Sequence, residues 1–75
     1  MPRLRRISGK QTIEALEKLG FTKTRQRGSH VVMRRFTSSG ATGCVVPIHK
    51  ELAIGTLRGI LKQAQISVEE FVENL

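Results

Sequence analysis

The stretch Phe21-Thr22-Lys23-Thr24-Arg25-Gln26-Arg27-Gly28-Ser29-His30-Val31-Val32-Met33-Arg34-Arg35-Phe36 decides the fold. Residues 21–27 alternate and are rich in β-branched side chains, Gly28-Ser29 punctuates them as a tight turn, and residues 30–36 supply a partner strand. The stretch therefore spells a β-hairpin. Thr37 to Gly43, with Ser38-Ser39-Gly40 inside it, reads as a polar loop. Gly43-Cys44-Val45-Val46-Pro47-Ile48 is a third strand, with Pro47 marking its end or an edge position. Consecutive strands joined by short connections predict an antiparallel meander. Cys44, Val46 and Ile48 would lie on one face of that strand and Val45, Pro47 and His49 on the other; the pattern does not choose which face is the core.

Helices precede and follow the strands in the sequence. Upstream, Ser8 and Gln11 form a capping box, Ile13, Leu16 and Leu19 (with Ala15) follow at helical spacing, and Gly20 stands at the left-handed C′ position. Phe21 then folds back on Leu16. Downstream, a helix over 56–64 carries Leu57, Ile60, Leu61 and Ala64 on one face. Ser67 with Glu70 is a second capping box, and the Ile66–Phe71 staple predicts a final helix over 68–74. The order is α-β-β-β-α with a short C-terminal helix. Its apolar helix stripes need one sheet face to cover, which makes an α+β, double-stranded-RNA-binding-domain-like architecture. The basic residues are left to the opposite face and the hairpin tips.

A chain of 75 residues has room for a single domain, 1–75, with a small core. It carries thirteen Lys plus Arg against six acidic residues, a formal charge of +7. The positive charge is concentrated. Arg3, Arg5, Arg6 and Lys10, then Lys23, Arg25, Arg27, Arg34 and Arg35, stand in two acid-free segments, whereas Glu69, Glu70 and Glu73 gather at the C-terminal end. This asymmetry is the footprint of a polyanion binder, against the bland alternative of a solubilising surface. The basic opening lacks the apolar region of a signal peptide, and no run approaches a membrane span. With the lone Cys44 unable to form an internal disulfide, these features predict a soluble protein of the reducing cytoplasm, without a membrane partner.

The chemistry available is narrow. The sequence contains no Asp, and its few Glu residues lie outside the basic hairpin, so a clustered two-metal nuclease site is not expected. No metal site or small-molecule cofactor is expected. Imidazole ordinarily exchanges protons between pH 5 and 8, and His30 and His49 are the two candidates. His30 follows a glycine turn that lets a phosphate backbone approach, and Arg25, Arg27 and Arg34 can neutralise charge developing there. Its ordinary alternative is a surface or packing residue. His49 reads better as a loop histidine capping a backbone carbonyl. Gly55-Thr56 opens a helix, which suits an anion or simple capping equally. Without Trp or Tyr, and with Phe21 and Phe71 assigned to packing, recognition by shape and phosphate contact is expected over base stacking.

Ser8-Gly9-Lys10, Ala15-Leu16-Glu17-Lys18-Leu19-Gly20-Phe21, Arg27-Gly28-Ser29-His30, Val46-Pro47-Ile48-His49 and Gly55-Thr56-Leu57-Arg58-Gly59-Ile60-Leu61-Lys62-Gln63 together resemble the HicA toxin family, the YcfA-like small mRNA interferases. The resemblance runs from about Arg3 to Phe71. It implies a ribonuclease that cuts mRNA without requiring translation, arrests growth when unopposed and is neutralised by a HicB-type antitoxin; the lack of clustered carboxylates makes that endonuclease chemistry expected to be metal-independent. It also implies that the active-site histidine is His30, with Gly28 in its turn. Val31 departs from the polar residue or second histidine found there in many relatives, so no histidine pair is available in the hairpin. Lys10, Lys23, Arg25, Arg27, Gly28, Ser29 and Arg34 are the candidate RNA contacts. A non-catalytic double-stranded-RNA or ribosome binder on the same fold is the alternative. Whether His30 is base or acid stays open.

Overall fold

The computed structural model describes residues 3–75; Met1 and Pro2, the first of the basic opening, lie outside the described residues. The elements follow in the expected order: α1 (Gly9–Lys18), β1 (Thr22–Arg27), β2 (His30–Thr37), β3 (Gly40–Pro47), α2 (Ile54–Ala64) and α3 (Val68–Glu73). The strands form one antiparallel sheet in the order β1-β2-β3. The helices pack on one of its faces.

Local chemistry sets the helix ends. The Gln11 N–H donates to Ser8 Oγ at 3.0 Å and the Ser8 N–H donates back to Gln11 Oε1 at 3.0 Å, completing the capping box of α1. At its other end Gly20 has φ 96°. There the Phe21 and Gly20 N–H groups donate to the Leu16 and Glu17 carbonyls, each at 3.0 Å. That is the Schellman pattern, and it turns the chain so that Phe21 is buried beside Leu16. Ser67 and Glu70 form the second capping box, with Ile66 and Phe71 buried across it.

The core answers the question the third strand left open. Val31 and Met33 of β2 and Cys44 and Val46 of β3 alternate inward and are buried against Ile13, Ala15 and Leu16 of α1 and Leu57, Ile60, Leu61 and Ala64 of α2. Val45 is exposed and Pro47 only half-buried, on the opposite face. Burying a side chain of this size contributes roughly 1.5–3 kcal/mol, so this one layer of contacts accounts for most of the cohesion a short chain can muster. Arg35 also belongs to the fold. Its guanidinium donates to the Leu19 carbonyl at 3.3 Å and lies 4.9 Å from the centre of the Phe21 ring, covering the C-terminus of α1.

Three boundaries differ from the sequence expectation, the simplest being that β3 ends at Pro47 and leaves Ile48 exposed beyond it. The segment 37–43 is not a loop, because β2 and β3 pair outward through Arg34–Gly43, Arg35–Thr42 and Phe36–Ala41 to Thr37–Gly40. Only Ser38-Ser39 turns, with the Thr37 hydroxyl donating to the Gly40 carbonyl at 3.1 Å. Core pairs Val31–Val46 and Met33–Cys44 set the register, and main-chain bonding then propagates it through residues with no strand-like pattern of their own. Helix α2 begins at Ile54 rather than Thr56, with Ala53 at an N-cap that makes no side-chain hydrogen bond. Among the described residues no helix is long and apolar enough to cross a membrane.

Candidate functional site

The β1–β2 turn is tight: Arg27 pairs directly with His30, leaving only Gly28-Ser29 between the strands. Gly28 has φ 59°, the positive value that hairpin turns of this length require and that glycine adopts without strain. His30 therefore opens β2, exposed, with Arg27 on one side and Pro47 on the other.

Residues opposite one another in an antiparallel sheet share a face, so the register assigns every side chain. His30, Val32, Arg34 and Phe36 of β2 point away from the helices, and their partners Arg27, Arg25 and Thr22 in β1 point the same way. From β3 that face receives Ala41, Gly43, Val45 and Pro47. It carries no acidic residue. Arg34 lies along it over Gly43, where a Cβ would meet Arg34 Cγ at 3.4 Å.

A bulge organises this face. Thr24 is left unpaired between the pairs Lys23–Met33 and Arg25–Val32, and its hydroxyl donates to the Val32 carbonyl at 3.3 Å. In a regular strand Lys23, Arg25 and Arg27 would share a face. The extra residue breaks that alternation, so Arg25 and Arg27 accompany His30 while Lys23 stands opposite Met33 on the helix-covered side. Of the candidates, Arg25, Arg27, Arg34 and His30 are thus brought together, and Lys23 is not among them.

Two further blocks singled out in the sequence meet at the turn. The Ile48 N–H donates to the Ser29 carbonyl at 2.6 Å, and the Gly9 N–H donates to the His49 carbonyl at 2.8 Å. A side chain at Gly9 would run into the Pro47 carbonyl oxygen and approach Ile48 Cα within 2.9 Å. Ser8-Gly9-Lys10, Gly28-Ser29-His30 and Pro47-Ile48-His49 are therefore one cluster at one end of the sheet. Exposed Lys10 comes to this end with the first turn of α1. The His49 side chain is exposed, and what ties the residue in place is its backbone carbonyl, receiving the helix N–H. Cys44 lies beneath the sheet, where burial pushes its thiol up to about 11, so it offers no thiolate to this face.

Sequence reasoning left Phe36 without a role. It is 70% exposed on the same face as His30, opposite Ala41. The signal was present in the two-residue spacing of His30, Val32, Arg34 and Phe36, once the direction of the core was known.

An α-β-β-β-α chain with helices on one face of an antiparallel meander has the architecture of double-stranded-RNA-binding domains. A family model described as the HicA toxin of bacterial toxin–antitoxin systems matches residues 9–66, from the glycine packed on Pro47 to the end of the α2 cap. The chain belongs to the HicA toxin family, and so to toxins that work against an antitoxin partner. No curated protein and no solved structure matches it.

Proposed function

We propose that this toxin is an endoribonuclease that cuts mRNA on its open sheet face, with His30 exchanging the proton. The observation that carries the reading is the exposed imidazole at the hairpin mouth, sharing an acid-free face with Arg25, Arg27 and Arg34. RNA holds its own nucleophile. Attack of the 2′-oxygen on phosphorus breaks the bond to the 5′-oxygen and leaves a cyclic 2′,3′-phosphate and a free 5′-hydroxyl. His30 serves either by accepting the 2′-hydroxyl proton or by donating one to the leaving oxygen, with water taking up or supplying the other proton, a contribution of about 10² to 10⁴ in rate. The arginines stabilise the charge that gathers on the phosphoryl oxygens, and Gly28 keeps the turn low enough for a backbone to pass.

Lys10 and Ser29 join Arg25, Arg27, Gly28 and Arg34 as the proposed RNA contacts, and Lys23, opposite Met33 on the helix-covered side, is expected to contribute least. The face bears no carboxylate to hold a cation, so cleavage is expected to continue in a chelator. The antitoxin is expected to be of the HicB type and to cover the basic hairpin with an acidic surface. Inducing the chain in bacteria tests the reading: the wild type should stop growth and deplete transcripts, and His30→Ala should do neither. Growth arrest with intact transcripts would instead favour a passive RNA or ribosome binder on this fold.

A further inference from the structure

We infer that the open face is a track for single-stranded RNA, with Phe36 stacking on an unpaired base a few nucleotides from the bond held at His30. The inference rests on the nuclease reading and narrows its substrate class. Among the described residues Phe36 is the most exposed of the large hydrophobic side chains, at 70%. It lies on β2 in line with His30, Val32 and Arg34, about 20 Å from His30 along the strand. Beside Gly43 a concavity of about 460 Å³ runs from Val32, Arg34, Ala41 and Val45 of this face round the β3 edge to Gln63 of α2. Arg25 and Arg34 border the same stretch through their pairings with Val32 and Gly43.

Cationic side chains interleaved with an accessible aromatic ring are what a flexible single strand needs: charge along its backbone and a flat surface for a base. A duplex cannot use the ring, because its bases are already stacked on one another and present only their edges. Shape recognition of double-stranded RNA would leave Phe36 in water for no purpose, whereas stacking gives its exposure a function. The fold resembles that of duplex binders, but this face has the chemistry of a single-strand platform.

The chain has no tryptophan, so Phe36→Trp introduces a single indole reporter, here in the His30→Ala background so that RNA stays whole. Titration with a short unstructured RNA should quench its fluorescence, and the same sequence annealed to its complement should leave it nearly unchanged. Phe36→Ala and Phe36→Leu should each weaken single-strand binding about tenfold, and with His30 intact they should raise KM more than they lower kcat. The inference is overturned if single strands do not quench the indole, if duplex quenches it equally, or if both Phe36 variants bind RNA like the parent. It is equally overturned if the variants lose affinity only for the cognate antitoxin, since Phe36 would then be a protein contact. Loss of cleavage in His30→Ala alongside normal RNA binding by the Phe36 variants would remove the stacking inference alone. Undiminished cleavage by His30→Ala would remove the nuclease assignment, whatever the indole reports.

Discussion

At the level of single residues, the side of the sheet on which a cation stands matters more than how many cations there are. Arg27 is paired directly with His30, and Lys23 is paired with Met33 on the covered side. Arg27→Ala should lower the salt dependence of RNA binding by the equivalent of one phosphate contact, a slope change of about 0.7 for a single strand, while Lys23→Ala should change it much less. Filter binding across a salt series reads both. Equal losses for the two variants would contradict the face assignment. Cys44 gives a second residue-scale prediction. Its thiol titrates at about 11 when buried against an ordinary 9.0, so the unfolded chain gives up the proton first. The stabilisation is complete below about pH 9 and fades as pH rises toward about 11. Denaturant midpoints should fall over that window for the wild type more than for Cys44→Ala, and alkylation of the native protein near neutral pH should be negligible.

Elements here are held by a few close approaches that substitution can address. Gly9 sits against the backbone of Pro47 and Ile48; Gly9→Ala should cost about 1–3 kcal/mol and loosen the end of the sheet that carries His30. A thermal melt together with the RNA-cleavage rate would register both effects. At the far end of α2, Gln65 adopts φ 58°, a left-handed conformation that disfavours any side chain bearing Cβ. Gln65→Gly should therefore stabilise by about 0.5–1 kcal/mol, read as a raised urea midpoint at unchanged slope. The ends of α1 and the start of α3 were legible because capping boxes, the staple and the Gly20 turn are local and leave their signature in adjacent residues, whereas the start of α2, which has no side-chain cap, was not. Longer-range features were not. The Thr24 bulge depends on the register imposed by Met33 and Val32 across the hairpin, and the extension of β2 and β3 to Thr37 and Gly40 depends on core pairs several residues away. A run such as Thr37 to Gly43 reads as a loop when taken alone and becomes strand only because its neighbours are already paired.

Across the molecule, apolar and charged residues are divided between the two faces of one thin sheet. The helices cover Val31, Met33, Cys44 and Val46, and the other face keeps His30, its arginines and Phe36 in water. The identity of the core strands and helix stripes could be read from periodicity, but the outward set could not be read until one face was known to be buried. This explains why His30 and its arginines emerged as candidates from local sequence, and why Phe36 emerged only from the assembled sheet. A formal charge of +7 should draw both RNA and an acidic antitoxin at rates that fall with ionic strength. The most direct test of the whole account uses end-labelled single-stranded RNA in the presence of a chelator, comparing purified wild type with His30→Ala. The wild type should cleave to fragments ending in a cyclic phosphate, and the variant should lose at least a hundredfold in rate while keeping most of its RNA affinity. Cleavage by folded His30→Ala at the wild-type rate would contradict the account.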